Sequence, residues 1–393
     1  MPRISERLRS LPPYPLQDVP AIKRDLRARG VDVIDLGAGD ADLAPPPAAV
    51  EALGSTCRDP LNSRYAHQLG LGEFREEIAR FMQRRFGVEV DPYREVLPLI
   101  GSKEGIFHLP LAFLNPGDVT LVPDPGYQAY TGGTILAGGV AHAVPIRPES
   151  DFLIPLGELP DEVVRRARIL YLNYPNNPTS ALAPREYLEE AVEFCRRNDV
   201  VLAYDNAYSE LAFDGYVPPS IFEIEGARDV ALEFHSLSKT FNMTGWRVGW
   251  AVGAPELIAA LQKVKSFSDT GLPFFIQHAA AAALRSQEEW LPGNVETFRR
   301  RRDAAVEELR ALGVEIEAPH ATMYLWVPLP EGTASEPFAR RLLLEEGVAV
   351  MPGVAMGPGG EGFFRIALTV PEERLREAVT RIGRVLHPAA AVR

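Results

Sequence analysis

Short apolar runs alternate with helical patterns through the chain from about residue 60 onward. The runs are nearly continuous, which is typical of strands buried on both faces of a sheet. The stretch at 72–87 between them is amphipathic with a helical period and predicts a helix. This alternation predicts an α/β fold built from βαβ-type units. The predicted strands are residues 94–100, 118–124, 168–174, 199–205, 230–236 and 246–252.

The two ends of the chain depart from this central pattern. Near the N-terminus, turn-rich pieces surround one helical pattern at 21–30, which favours an arm over a domain. After about residue 285, long charged helical patterns and a few short strands predict a smaller α+β domain, followed by a short tail at 387–393. We therefore expect an arm that packs with the small domain (1–45), a large domain (46–285) and a small C-terminal domain (286–393).

Composition and charge exclude several classes of function. The 393 residues are 46% hydrophobic and 24% charged, as in a globular protein with room for two domains and a cleft. The net charge of -12 gives no electrostatic footprint for nucleic acid. Cys57 and Cys195 form no metal-ligand or disulfide pattern. Without an apolar signal segment or a membrane span, we expect a cytoplasmic protein with no metal.

The segment SLSKTFNMTGWR carries the clearest chemistry. It places Lys239 directly after an apolar strand, where a desolvated amine can attack a carbonyl. Ser236, Ser238 and Arg247 flank this lysine and offer hydroxyls and a guanidinium that can hold a phosphate. On these residues alone, an ordinary surface loop is an equally good interpretation.

The same segment resembles the lysine signature of the class I and II aminotransferases, which have the type I fold of pyridoxal-5'-phosphate (PLP) enzymes. The resemblance extends over nearly the whole chain, because other motifs of the family follow in order. It implies a large domain with a mostly parallel sheet between helices, a smaller α+β domain, and PLP held by Lys239 as a Schiff base. It also implies a ping-pong reaction through pyridoxamine phosphate, with Lys239 as the general base.

Four side chains resemble the family's contacts to the ring of the cofactor. Asp205 ends a buried strand, where an unpaired carboxylate is costly, and its family counterpart pairs with the pyridine nitrogen. Asn177 in PNNPT and Tyr208 resemble the two donors to the phenolic oxygen. Tyr127 resembles the aromatic residue that stacks on the ring, with Tyr130 as a weaker candidate. Each also has an ordinary interpretation, such as a turn or a core tyrosine.

Other motifs resemble contacts to the cofactor's phosphate and to the substrate. Ser102 and Lys103 in GSKEG stand between a strand and a helix, where backbone N–H groups can face a phosphate. Arg365 is a lone charge in the apolar run GFFRIALT, so an anion should meet it. Its family counterpart binds the substrate's α-carboxylate, with help from Asn177, and a structural ion pair is the alternative. Gly39 resembles the glycine whose backbone approaches that carboxylate.

The resemblance extends to the assembly and to the substrate. Tyr65 resembles the tyrosine that reaches the phosphate in the neighbouring subunit, which implies a homodimer. The segments GSKEGI, SKTFNMTGWR and ATMYLWVPLP are most similar to aminotransferases of LL-diaminopimelate, in lysine biosynthesis, and to related alanine-type enzymes. The alternatives are another donor, such as alanine, aspartate or an aromatic amino acid, or a PLP-dependent C–S β-lyase. A PLP-binding regulator is less favoured, because no DNA-binding segment is visible.

Overall fold

A seven-stranded sheet forms the centre of the molecule in a computed structural model, which describes residues 2–12, 17–67 and 69–387. The predicted tail beyond residue 387 and part of the turn-rich piece at 12–20 lie outside these ranges. In chain order, the strands are β1 (Ile34–Asp35), β2 (Val96–Leu99), β3 (Val119–Asp124), β4 (Val140–Pro145), β5 (Ala167–Leu172), β6 (Val201–Asp205), β7 (Ala231–Ser236), β8 (Gly249–Gly253), β9 (Tyr324–Pro328), β10 (Val348–Ala349), β11 (Met351–Pro352) and β12 (Phe363–Ala367). The α-helices are α1 (Glu6–Arg9), α2 (Val19–Ala28), α3 (Pro47–Thr56), α4 (Gly72–Phe86), α5 (Ser102–Phe113), α6 (Gln128–Ala137), α7 (Asp161–Arg166), α8 (Arg185–Asn198), α9 (Leu237–Thr240), α10 (Pro255–Ser268), α11 (Phe274–Arg285), α12 (Gln287–Ala311), α13 (Ser335–Glu346) and α14 (Glu372–Leu386).

The central sheet is mostly parallel. Its strands lie in the order β2-β8-β7-β6-β5-β3-β4, and only β8 runs antiparallel to its neighbours, β2 and β7. All six apolar runs that predict strands belong to this sheet. The predicted α/β fold class with a mostly parallel sheet is therefore confirmed.

Two details of the sheet differ from the prediction. β4 is missing from the predicted strands because it is an edge strand in which Val140 is 46% exposed, so its sequence lacks a continuous apolar run. The run at 246–252 becomes a strand only from Gly249 onward. Residues 244–246 form a 3-10 turn, and Arg247 has a φ of 56°, a left-handed conformation that no strand contains.

Helices cover both faces of the central sheet. α5, α6 and α10 pack on one face through buried residues such as Ile106, Tyr130 and Leu261. α8 covers the other face with Leu188, and α4 and α11 extend that layer around Phe81. This coverage explains why the strand sequences are apolar on both sides. Among the described helices, none has the length and apolar character needed to cross a membrane.

A smaller antiparallel sheet, in the order β11-β12-β9, forms a second centre of packing. α12, α13 and α14 surround it and share a core with it that contains Phe298, Ile366 and Leu375. β1 pairs in parallel with β10, which brings Ile34 and Leu36 from the N-terminal segment into the same core. These contacts support the division into segments 1–45, 46–285 and 286–393, whose boundaries stay a prediction.

The strand directions bring several polar residues to one edge of the central sheet. The carboxyl ends of β2, β6 and β7 meet there. Ser102 follows β2, Asp205 is the last residue of β6, and Ser236 is the last residue of β7. Because β8 runs the opposite way, its amino end lies at the same edge, and Arg247 precedes it there. Ligands of open α/β sheets bind outside the carboxyl ends of the strands, so this edge is the natural place for a site.

Candidate active site

A cavity of about 280 Å³ opens at this edge, between the central sheet and the smaller antiparallel sheet. Every site residue predicted from the sequence lines it except the weaker candidate Tyr130 and Tyr65, which is 71% exposed on the surface. The predicted residues that line the cavity are Gly39, Ser102, Lys103, Tyr127, Asn177, Asp205, Tyr208, Ser236, Ser238, Lys239, Arg247 and Arg365.

Asp205 brings a buried and incompletely bonded carboxylate to the cavity. The residue is 6% exposed, and its Oδ2 accepts a hydrogen bond of 2.8 Å from the Tyr130 hydroxyl. Its Oδ1 makes no hydrogen bond with the residues that the structure describes. Burial raises the pKa of Asp205 to about 6, although the Tyr130 hydrogen bond, the charge of His235 and the nearby Ala207 backbone N–H act in the opposite direction. A protonated ring nitrogen in the cavity would complete this carboxylate.

Lys239 extends into the cavity from the short helix α9, which follows β7 directly. The Oγ of Ser236 caps that helix by accepting a 3.2 Å hydrogen bond from the Ser238 backbone N–H. The Lys239 amine donates to the backbone carbonyl of Gly39, on the opposite wall. A side chain at Gly39 would collide with the Tyr324 hydroxyl, so only glycine allows this close approach.

One end of the cavity is suited to an anion. Ser102 opens the 12-residue helix α5, whose first backbone N–H groups face the cavity edge. The Arg247 guanidinium lies over Gly101, where a Cβ atom would come within 2.5 Å of Nη2. Its Nη1 donates to the Thr244 carbonyl at 2.9 Å and to the Ser238 hydroxyl at 3.4 Å. A guanidinium, hydroxyls and a helix N-terminus together form a site for a phosphate.

Arg365 provides a second anion site across the cavity. It is 5% exposed, and its Nη1 and Nη2 donate to Asn177 Oδ1 at 2.6 Å and to the Gly37 carbonyl at 2.8 Å. Its Nε has no partner, and the side chain forms no ion pair within the described part of the chain. A buried guanidinium with neutral partners is suited to a carboxylate from outside the chain.

Two tyrosines occupy places that the sequence does not indicate. Tyr324, which is 2% exposed, lines the cavity with its hydroxyl 3.2 Å from that of Tyr208. Its position in the apolar strand β9 looks like that of a core residue, and only the fold brings it to the site. The weaker stacking candidate Tyr130 needs a correction, because its ring stacks on Tyr171 at 4.6 Å and its hydroxyl bonds to Asp205.

The tyrosines that line the cavity differ in their electrostatic surroundings. Burial and the neighbouring Tyr324 raise the pKa of Tyr208 well above its ordinary value, so Tyr208 stays a neutral donor. Burial also raises the pKa of Tyr324, but the charges of Lys239 and Arg365 outweigh burial and lower it. The Lys103 ammonium lies 5.7 Å from the centre of the Tyr127 ring.

A cluster of ion pairs fixes the position of the GSKEG loop. Glu104, His108 and Asp269 bring ligand-type atoms within 4.8 Å of one another. The Lys265 ammonium lies among them, 2.8 Å from both carboxylates, so these groups already hold a cation of the protein itself. Burial alone would raise the pKa of Glu104, but His108 and Lys265 lower it to about 2. The second oxygen of Glu104 accepts from the Ile100 backbone at 2.5 Å, which fixes the loop.

The chain belongs to the class I and II aminotransferases, whose family model matches residues 31–382. It is similar to the LL-diaminopimelate aminotransferase of Desulforudis audaxviator, with 48% identity and 96% of each chain covered. The enzyme of that name from Nitratidesulfovibrio vulgaris is 47% identical, with coverage of 98% and 99%. A solved structure of a probable N-succinyldiaminopimelate aminotransferase from Thermus thermophilus is 40% identical, with a TM-score of 0.89 and coverage of 94% and 99%.

The predictions of family, fold class, cofactor and reaction class are thereby confirmed: the protein is a PLP-dependent aminotransferase with the type I fold. These relatives do not favour a C–S lyase or a regulator. The cavity fits PLP, because the unpaired Asp205 oxygen, the Arg247 anion site and the Lys239 amine provide the three kinds of contact that the cofactor needs.

We predict that Asp205→Asn stabilises the cofactor-free protein at pH 8 by up to about 3 kcal/mol. The pKa of Asp205 is about 6 when folded and near 3.8 otherwise, so its ionisation penalises the folded state. The gain should be complete above pH 6 and disappear as the pH falls from 6 to below 4. Denaturant unfolding of the cofactor-free protein at pH 4 and pH 8 measures this difference.

Asp199→Asn is the control, because it makes the same substitution at an exposed carboxylate outside the cavity. Addition of PLP should reverse the order at pH 8, because the cofactor stabilises the native carboxylate and not the amide. An Asp205→Asn protein that is no more stable than the native one without cofactor would contradict the assignment of a penalised carboxylate.

Proposed function

We propose that this aminotransferase uses LL-diaminopimelate as its amino donor and a 2-oxo acid such as 2-oxoglutarate as the acceptor, as part of lysine biosynthesis. The observation that carries the proposal is the 48% identity, over 96% of both chains, to an enzyme of that name. Aminotransferases of one family differ in their amino donors. The identity of the donor is therefore supported by this similarity together with the chemistry of the cavity.

The residues at the strand ends would hold the cofactor. PLP supplies an aldehyde that captures the amino group and a ring that accepts the electrons released at the substrate Cα. Asp205 would keep the ring nitrogen protonated, and Tyr127 would lie against the ring. Tyr208 and Asn177 would donate to the phenolic oxygen. The groups around the phosphate would be Ser102, Lys103, Ser236, Ser238 and Arg247.

Lys239 would have two tasks. It would hold the aldehyde carbon in the resting enzyme, and after the substrate displaces it, the free amine would take the proton from Cα. The Gly39 carbonyl that accepts from the amine supports this role, because it keeps the amine beside the carboxylate site.

Arg365 would bind the α-carboxylate that every donor and acceptor shares. Because Arg365 engages the Oδ1 of Asn177, the Asn177 Nδ2 is the group left to donate into the cavity. Gly39 would let the substrate pass close to the backbone. Together these groups orient Cα toward Lys239.

The far end of the substrate calls for a second subunit. LL-diaminopimelate carries a second carboxylate and a second ammonium group. Among the described residues, the cations that line the cavity are Lys103, Lys239, Arg247 and Arg365, and the preceding roles already engage each of them. We therefore propose a homodimer in which the partner completes the site.

Tyr65 is the residue proposed to reach the partner's phosphate. Its side chain is largely exposed, as are the neighbouring apolar side chains of Leu61 and Leu69. Exposed apolar groups next to one another favour contact with another chain. The thiols of Cys57 and Cys195 are free, which supports the proposed location in a reducing cytoplasm.

A panel of amino donors tests the substrate. With 2-oxoglutarate as acceptor, we expect kcat/KM for LL-diaminopimelate to exceed the values for alanine, aspartate, methionine and phenylalanine by at least about tenfold, because one hydrogen bond to a charged group contributes about 1.5–3 kcal/mol. N-succinyl-LL-diaminopimelate belongs in the panel because a related structure carries that name. Equal or higher rates with another donor would reject LL-diaminopimelate, and ammonia release from cystathionine that exceeds transamination would favour a lyase.

Mixed dimers test whether Tyr65 acts across the interface. Lys239→Ala and Tyr65→Ala each damage a different part of the site, so each protein alone should be nearly inactive. If Tyr65 serves the partner's site, dissociated and reassociated mixtures contain hybrids with one intact site, and activity should return to about a quarter of the native value.

The mixture of Lys239→Ala with Tyr65→Ala would also reveal the opposite case. If Tyr65 served its own chain, each hybrid would have two damaged sites, and mixing would restore nothing. A mixture of Lys239→Ala with Asp205→Asn is the matched control, because both residues belong to one chain's cavity and no intact site can form.

A further inference from the structure

We infer that Tyr324 is a positioning residue for the substrate's carboxylate, because its ring fixes the orientation of the Arg365 guanidinium. The inference rests on the proposed role of Arg365 in binding the α-carboxylate. Neither the sequence pattern nor the similarity to other aminotransferases assigns a role to Tyr324.

The contact between Tyr324 and Arg365 is a face-on cation–π interaction. The Arg365 Cζ atom lies 4.1 Å from the centre of the Tyr324 ring. In the plane of the guanidinium, Nη1 and Nη2 donate to Asn177 and to the Gly37 carbonyl. In-plane hydrogen bonds fix the direction of the guanidinium, and an aromatic face beneath it prevents it from tilting.

The pairing of two strands explains how the two side chains meet. In the register of β9 and β12, Arg365 stands opposite Trp326, and Tyr324 stands opposite Ala367. Tyr324 and Arg365 are therefore diagonal neighbours on one face of the sheet, a distance that long side chains can bridge. The small side chain of Ala367 leaves room beside the ring.

The Tyr324 ring is itself held from several sides. The backbone N–H of Tyr324 donates to Thr322 Oγ1 at 3.1 Å, and its carbonyl accepts from the Ser180 hydroxyl at 3.0 Å. Its ring meets that of Tyr208 edge-on at 5.6 Å. Gly39 leaves space for the hydroxyl on the opposite side. A ring held in this way forms a rigid support for the Arg365 guanidinium.

The environment of Tyr324 is that of a site residue more than a core residue. Its ring lines the cavity together with Lys239 and Arg365. Both charges lower the pKa of Tyr324 against the effect of burial, in agreement with the short distance between Arg365 and the ring. Because donors and acceptors share the α-carboxylate, loss of the ring should weaken the binding of both substrates alike.

The experiment compares Tyr324→Phe, which keeps the aromatic face, with Tyr324→Leu, which removes it. Calorimetry on the holoenzyme measures the binding of propionate, which has a carboxylate but neither an amino nor a keto group. We expect Tyr324→Leu to weaken propionate binding about tenfold, a typical effect of a buried cation–π contact. KM for LL-diaminopimelate and for 2-oxoglutarate should rise by a similar factor, while Tyr324→Phe stays within about twofold of the native values.

Control variants separate this effect from general loss of packing. Tyr187 is also buried, on the core-facing side of α8, with its hydroxyl bonded to the Ile154 carbonyl. Tyr187→Phe and Tyr187→Leu should leave propionate binding unchanged. If Tyr324→Leu does not fold, Tyr324→Met keeps much of the volume of the side chain without the aromatic face and should show the same tenfold loss.

Two results would overturn the inference. One is propionate affinity within twofold of native in Tyr324→Leu or Tyr324→Met, and the other is an equal loss in Tyr324→Phe. If the native enzyme does not transaminate LL-diaminopimelate, the proposed substrate fails, but propionate binding still decides the role of Tyr324.

Discussion

The site depends on one hydrogen bond to Asp205 that none of the described residues makes. Asp205 stands at the end of a buried strand with one carboxylate oxygen bonded to Tyr130 and the other without a partner among the described residues. A buried charge in this state destabilises the fold, and its raised pKa records that penalty. A protonated pyridine nitrogen, the partner proposed for Asp205, would remove it. The native state is therefore completed by PLP, and the same contact would make the ring an acceptor of electrons.

The topology of the sheet brings the other groups to this carboxylate. Because β8 alone runs antiparallel within the central sheet, Arg247, two residues before its start, lies at the same edge as Ser236 and Ser102. The smaller sheet then brings Arg365 to the opposite side of the cavity. Neither arginine forms an ion pair with the described residues, so two anion sites flank the Asp205 carboxylate. A cofactor phosphate and a substrate carboxylate suit these two sites.

Much of this arrangement could be predicted from the sequence, because buried parallel strands have a distinctive apolar pattern and the functional residues follow them. The exposed edge strand β4 lacks that pattern and is not predicted. Tyr324 escapes prediction for the opposite reason, since an aromatic residue in an apolar strand looks like core until strand pairing brings it beside Arg365. The proposed role of Tyr65 and the binding of the substrate's far end would depend on a second chain, whose contacts no local pattern describes.

The most direct measurement of the central claim is the protonation state of the cofactor's ring nitrogen. The holoenzyme is prepared with PLP labelled with 15N in the ring, and its nitrogen chemical shift is recorded by NMR at pH 8. We expect a protonated nitrogen in the native enzyme, held by the Asp205 carboxylate, and an unprotonated one in Asp205→Asn. An unprotonated nitrogen in the native enzyme would contradict this expectation.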